Sequence, residues 1–159
     1  FIGIDVDIAF RFYNNKLTQV YLMMFFDQPN HIKVFTTLRK RFQLVLIKNI
    51  AGQILDIVNH SKTQTTDQLR SSIGTFEQIA LASGEITYSF LETKTIQPLL
   101  AKSTNIQMLI QKSPRGLREV DYNIFTNDDG DSFGHISFSA PKAMMLKLKK
   151  EASEQSEDF

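Results

Sequence analysis

The one cluster of carboxylates in the sequence is Asn127-Asp128-Asp129-Gly130-Asp131, and oxygen-rich loops of this kind are how proteins hold calcium. Aligned on Gly130, an EF-hand loop would need its first aspartate at Phe125 and its bidentate glutamate at Ile136. Both ligands are missing, so the expectation is a hairpin turn and no metal site. Asp5 and Asp7 share a strand face with Arg11, as a pair of hydrolytic carboxylates would, but no neighbour completes a site and a solvent-facing strand carries such residues anyway. His31, His60 and His135 stand far apart in no metal-binding spacing and read as surface or cap residues. No Gly-x-Ser-x-Gly elbow occurs, and no glycine-rich phosphate loop follows a strand. The sequence therefore nominates no catalytic, cofactor-binding or metal residue, and no enzyme is expected.

Basic residues are the remaining candidates. Lys33, Arg39, Lys40 and Arg41 on a first helix, and Lys142, Lys147, Lys149 and Lys150 on a last one, are placed to contact an anionic surface of phosphates or lipid head groups. The plainer reading is a solvated helix face whose cations sit well near the negative end of the helix dipole. Across the whole chain, 18 Lys and Arg meet 17 Asp and Glu, which gives no general attraction to a polyanion, so a nucleic-acid partner is not expected. The absence of Cys removes disulfides and thiol chemistry and leaves the compartment open. The longest apolar run, Val20 to Phe26, is far short of the roughly 20 residues of a membrane helix. The sequence begins at Phe1 and enters strand-like residues at once, so an upstream piece is expected, which leaves room for a signal peptide or lipid anchor.

The elements that would position these residues follow from periodicity. Ile4, Val6, Ile8, Phe10 and Phe12 alternate with polar residues, which predicts a half-buried strand; Tyr13 to Lys16 turns it, and Leu17 to Phe26 returns, apolar on both faces. Asp27 and Pro29 open a helix with Ile32, Phe35, Leu38 and Phe42 inward. Strands are expected at Leu44 to Ile47 and Ile54 to Val58. Thr65 and Gln68 form a capping box for a helix that Gly74 would end; Thr75 and Gln78 would open another, closed by Gly84. Glu85 to Glu92 alternates as a strand. A short helix at Gln97 to Lys102 precedes a strand with Ile106, Met108 and Ile110, a turn at Ser113 to Gly116, a strand with Val120, Tyr122 and Ile124, and a return strand with Phe133, Ile136 and Phe138. Ser139 and Pro141 start a last helix with Met144, Met145 and Leu148. Phe10 to Phe42 and Tyr122 to Glu151 thus share the order strand, turn, strand, Pro-containing cap, helix, a candidate repeated β-β-α unit.

Leu69-Arg70-Ser71-Ser72-Ile73-Gly74-Thr75-Phe76, followed by Ile86-Thr87-Tyr88-Ser89-Phe90, resembles the helix, glycine turn and aromatic strand of small bacterial envelope lipoproteins of the SmpA/BamE type. Those proteins carry Gly-x-Pro where this chain has Gly74-Thr75-Phe76. The resemblance implies a non-catalytic module of the periplasm or cell envelope that contacts other proteins and is tethered by an upstream lipid anchor; no functional residue carries over. Phe12 to Val20 is similar to hairpins of exported bacterial domains.

The sequence thus predicts one α+β domain over residues 1–152, with a curved antiparallel sheet of hairpins, short amphipathic helices packed on one face, and a frayed acidic tail over 153–159. Its expected function is non-enzymatic binding or scaffolding through a protein partner. Two alternatives stay open: a carrier or sensor of a small apolar ligand in a cavity between sheet and helices, with walls drawn from the 13 Phe and 5 Met, and a hydrolase assembled from distant residues such as Asp5, Asp7 or a histidine. Partner identity and oligomeric state are not encoded in any recognisable motif.

Overall fold

Alternation decides which side of a strand is buried, and here the alternation lines up from strand to strand. The computed structural model describes residues 1–13 and 15–140. Among them β1 (Asp7–Tyr13) and β2 (Lys16–Phe25) form a hairpin, followed by α1 (Gln28–Arg39), β3 (Phe42–Asn49), β4 (Ile54–Asp56), α2 (Ile57–Thr63), α3 (Thr66–Ala82), β5 (Glu85–Glu92), α4 (Thr93–Leu100), α5 (Ile106–Lys112), β6 (Glu119–Thr126) and β7 (Ser132–Ser139). All the strands join one open, curved antiparallel sheet in the order β1-β2-β7-β6-β5-β3-β4. The fold is the expected α+β class.

Directly opposed residues share a face, so the pairings trace rows across the sheet. One row runs Ile8, Leu22, Ile136, Tyr122, Tyr88, Ile47, Leu55. The next runs Phe10, Val20, Phe138, Val120, Phe90, Leu44. These rows are apolar from end to end and define an inner face. Helices α1 and α3 close over it, with Val34, Leu38 and Ala80 buried against it. The intervening rows, such as Ala9, Tyr21, Ser137, Asp121, Ser89, are largely polar and form the outer face. The expectation of helices on one face describes α1 and α3. By contrast α2, α4 and α5 gather with Val45, Leu91 and Leu117 in a second cluster, where a bulge between Leu44 and Leu46 leaves Val45 out of the ladder. Asp56 ties this cluster together by capping α2 through the Asn59 amide at 3.0 Å and accepting from the Ile106 amide of α5 at 2.9 Å.

Several expectations are corrected. The strand from Ile4 begins only at Asp7 and is exposed throughout, because β1 is the sheet edge and no described helix reaches it. On α1 Phe35 and Leu38 face inward as expected, joined by Val34, whereas Ile32 is exposed and Phe42 already lies in β3. Val58 belongs to α2, which also takes in part of the polar stretch after His60. Ile106, Met108 and Ile110 lie on a helix: Asn105 caps it by accepting from the Met108 amide, and the buried Leu109 with Ile106 and Ile110 fits the i, i+3, i+4 stripe. Three alternating residues were too short a run to separate the two periods. The predicted last helix and acidic tail lie outside the described residues.

Helix α3 settles the reading of Gly74. The Thr65–Gln68 capping box forms as expected, but the helix runs unbroken to Ala82, and Gly84 with φ +93° follows its end. Glycine in a helix interior costs up to about 1 kcal/mol relative to alanine, and a Cβ at Gly74 would meet nothing within 4 Å. Gly74→Ala is therefore expected to raise the melting temperature by roughly 2–4 °C. A loss of stability in a thermal melt would mean that Gly74 ends the helix.

Candidate functional site

Three places hold groups capable of binding or chemistry. Beneath α1, His31 points into the inner face, where its Nδ1 lies 3.3 Å from the Tyr122 hydroxyl and its ring packs among Phe26, Phe35, Tyr88 and Tyr122. Tyr88 donates to Glu77 of α3 at 3.0 Å. Burial lowers the His31 pKa, and burial followed by the Glu77 charge raises that of Tyr88. His31 is thus half-buried among aromatic rings and not the surface group expected. The ring centroids stand 5.1–6.2 Å apart, so aromatic rings occupy the space between sheet and helix that an apolar ligand would need.

The outer face carries the polar groups. Ser89 donates to Asp121 at 2.5 Å, and Asn123 donates to Glu85 at 2.6 Å and to Thr87 at 2.8 Å. His135 stacks on Tyr21 at 5.2 Å with 9° between the rings, and the Arg11 guanidinium lies over the same Tyr21 ring, 5.4 Å from its centroid. Burial lowers the His135 pKa, opposed by the Asp121 charge. A serine nucleophile needs a base to take its proton. Here the Ser89 hydroxyl is given to a carboxylate and His135 is given to a stacking contact.

The third place is a cleft of about 650 Å³ at one end of the sheet. Its walls are the end of α1 (Lys40, Arg41), the β5–α4 junction (Glu92, Lys94) and the start of β6 (Arg118, Glu119), with Phe42 and Phe138 between. Backbone bonds hold these segments together, from the Thr93 amide to the Arg41 carbonyl at 2.9 Å and from the Glu92 amide to the Arg118 carbonyl at 3.1 Å. Arg118 pairs with Glu92. Among the described residues Lys40, Arg41 and Lys94 have no carboxylate within 4.0 Å. Glu119 is raised from the ordinary 4.5 to about 7, first by burial and then by the Asp121 charge, while the Ser139 hydrogen bond and Lys48 oppose the shift.

No family model, curated protein or solved structure matches this chain. Its site must be read from the residues themselves. Of the predicted anionic-surface contacts, Lys40 and Arg41 line the cleft, whereas Lys33 and Arg39 lie on the exposed side of α1. Lys142, Lys147, Lys149 and Lys150 lie outside the described residues. Asp5 and Asp7 border a shallow 230 Å³ depression beside Met23 and Phe133, with no histidine or serine among its walls. The acidic loop is the β6–β7 turn, in which Asn127 accepts from the Asp131 amide and Gly130 takes φ +89°. Lys94, Arg118 and Glu119 escaped the sequence reading because only the register, with Phe42 opposite Glu92 and Leu91 opposite Glu119, brings them beside Lys40 and Arg41.

Glu119 gives the cleft a pH signature. A carboxyl whose folded pKa is raised loses folding stability as pH climbs from its unfolded value through the folded one. That window is 4.5 to about 7. Glu119→Gln is expected to raise the melting temperature at pH 8 and to lose this advantage by pH 5. An advantage that is the same at both pH values would show that Glu119 is not held in a disfavoured charged state.

Proposed function

We propose that this chain is a non-enzymatic binding or scaffolding module that takes an extended segment of a partner protein along the free edge of β1. One observation carries the reading. β1 is a terminal strand of seven residues, exposed at every position, with Ile8, Phe10 and Phe12 between 55% and 63% exposed. The opposite edge shows what a protected strand looks like: β4 has three residues and runs straight into α2. Edge strands offer a row of backbone donors and acceptors to an incoming strand, and apolar side chains at alternate positions supply the affinity. Leu17, 51% exposed and paired with Phe12, widens the apolar surface.

The resemblance at Leu69 to Phe90 supports a bacterial periplasmic or envelope setting through its aromatic strand β5, since Gly74 lies within α3 and forms no turn. The carrier reading has less support, because rings and aliphatic side chains fill the inner face. Against the hydrolase reading, the hydroxyls of Ser89, Thr95 and Ser139 donate to the carboxylates of Asp121, Glu92 and Glu119 and not to a histidine.

Extended peptides selected from a display library against the whole chain are expected to slow amide hydrogen exchange across Asp7–Tyr13. N-methylation at alternate peptide residues should weaken them about tenfold or more, because each lost backbone hydrogen bond costs about 0.5–1.5 kcal/mol. Selected peptides whose footprint falls on the cleft at Lys40 and Arg118, with β1 exchange unchanged, would overturn strand addition.

A further inference from the structure

The free edge of β1 has a definite order of groups. In an antiparallel ladder successive residues turn their backbone amide and carbonyl alternately toward one neighbouring strand and the other. The Arg11 carbonyl accepts from the Thr18 hydroxyl of β2 at 3.0 Å, so Asp7, Ala9 and Arg11 direct their backbone groups to β2, and Ile8 and Phe10 direct theirs to the open edge. Side chains alternate between faces as well. Ile8 and Phe10 stand on the inner face, in the apolar rows, while Asp7, Ala9 and Arg11 stand on the outer one. Arg11 donates to the Gln19 side chain at 3.2 Å, and among the described residues neither it nor Asp7 has an oppositely charged side chain within 4.0 Å.

The placement of these two charges fits one incoming strand closely. A two-fold axis perpendicular to the sheet at Ala9 lays a second β1 antiparallel against the first, with inner face continuing inner face. Ala9 then faces Ala9 of the second copy, Ile8 faces Phe10, and Asp7 faces Arg11, each of the last two pairs occurring once on either side of the axis. The Ile8–Phe10 pairs own the outward backbone groups and exchange hydrogen bonds, whereas the Asp7–Arg11 pairs fall at the positions where opposed side chains approach most closely. On the inner face the apolar row from Leu55 to Ile8 runs on into the second copy's row from Phe10 to Leu44. Other registers that keep the faces matched lose the charge pairing: an axis at Phe10 sets Asp7 against Tyr13, an axis at Arg11 opposes Arg11 to itself, and an axis at Ile8 pairs Arg11 with Asp5, which lies before the strand begins.

We propose that the strand received at this edge is β1 of a second copy, so that two chains form one continuous antiparallel sheet about a two-fold at Ala9. The inference rests on strand addition at β1 and names its partner. Opposite charges directly across a ladder stabilise it and like charges destabilise it, so Asp7 and Arg11 set the register and admit a second β1 in one alignment. The same interface is self-complementary, as a two-fold contact between identical chains must be.

Sedimentation of the full chain over a concentration series should show monomer and dimer in equilibrium. Asp7→Arg and Arg11→Asp each turn both attractive pairs into repulsive ones and should weaken the dimer roughly tenfold or more. Mixed together, the two variants should dimerise again, because each charge then meets its opposite in the other chain. Both positions are exposed, and the melting temperature of each monomeric variant should stay near that of the parent. A dimer that neither substitution weakens would place the contact elsewhere, and variants that stay apart when mixed would remove the Ala9 register; either result overturns the proposal. A chain that sediments as a monomer at every concentration overturns it as well, and amide exchange then separates the two readings. Selected peptides that still slow exchange across Asp7–Tyr13 would leave strand addition standing with a different protein as partner, whereas peptides that leave β1 unchanged would sink both.

Discussion

The structure depends on apolar rows that stay in register across every strand. In the row from Ile8 to Leu55 each residue is presented to its neighbour by direct pairing, and five of its inner members lie beneath α1, α3 or the centre of the sheet. A slip of one residue in β6 or β7 would move Tyr122 or Ile136 to the outer face and bring Asp121 or His135 inward. Burying such groups without partners costs several kcal/mol by general estimates. Gly134 shows how tightly the row is drawn, since a Cβ there would stand 3.2 Å from the Tyr122 ring and 3.3 Å from Met24. Packing at this density fixes the positions of strands and helices together.

The same alternation generates the polar side. With every second residue committed to the inner face, Ser89, Asp121, Asn123 and His135 are left to the outer one, where Ser89 donates to Asp121, Asn123 donates to Glu85 and Thr87, and His135 stacks on Tyr21. Glu119 continues this polar set into the cleft at the strand ends and is raised by its burial and by Asp121. The cleft is thus a by-product of sheet register and of the junctions at Lys40 to Arg41 and Glu92 to Lys94, joined by two backbone hydrogen bonds.

Coverage differs between the ends of the sheet because the helices follow the strands by short connections. α1 begins three residues after β2 and therefore falls on the near side of the ladder, over β6 and β5. β1, reached only by the hairpin from β2, has neighbours on one side alone. The exposure of Ile8, Phe10 and Phe12 is a consequence of this topology, since their pattern is that of residues meant for burial.

Strand and helix identities were largely readable from local chemistry. A continuous apolar run located β2, alternation located β5, β6 and β7, the Thr65–Gln68 box located the start of α3, and Gly84 and Gly130 marked turns, because each depends on residues a few positions apart. Where two periods fit a short run, as at Ile106 to Ile110, or where a glycine could end or merely weaken a helix, as at Gly74, packing against other elements decided. The cleft was only half legible: Lys40 and Arg41 were visible as cations, but their meeting with Lys94, Arg118 and Glu119 depends on the β3–β5–β6 register. Sequence by itself determined the α+β class and the apolar period of each strand, since these follow from neighbouring residues. Only the tertiary structure decided that the first strand is an exposed edge, because burial depends on what lies beyond the strand, and its own residues cannot supply that.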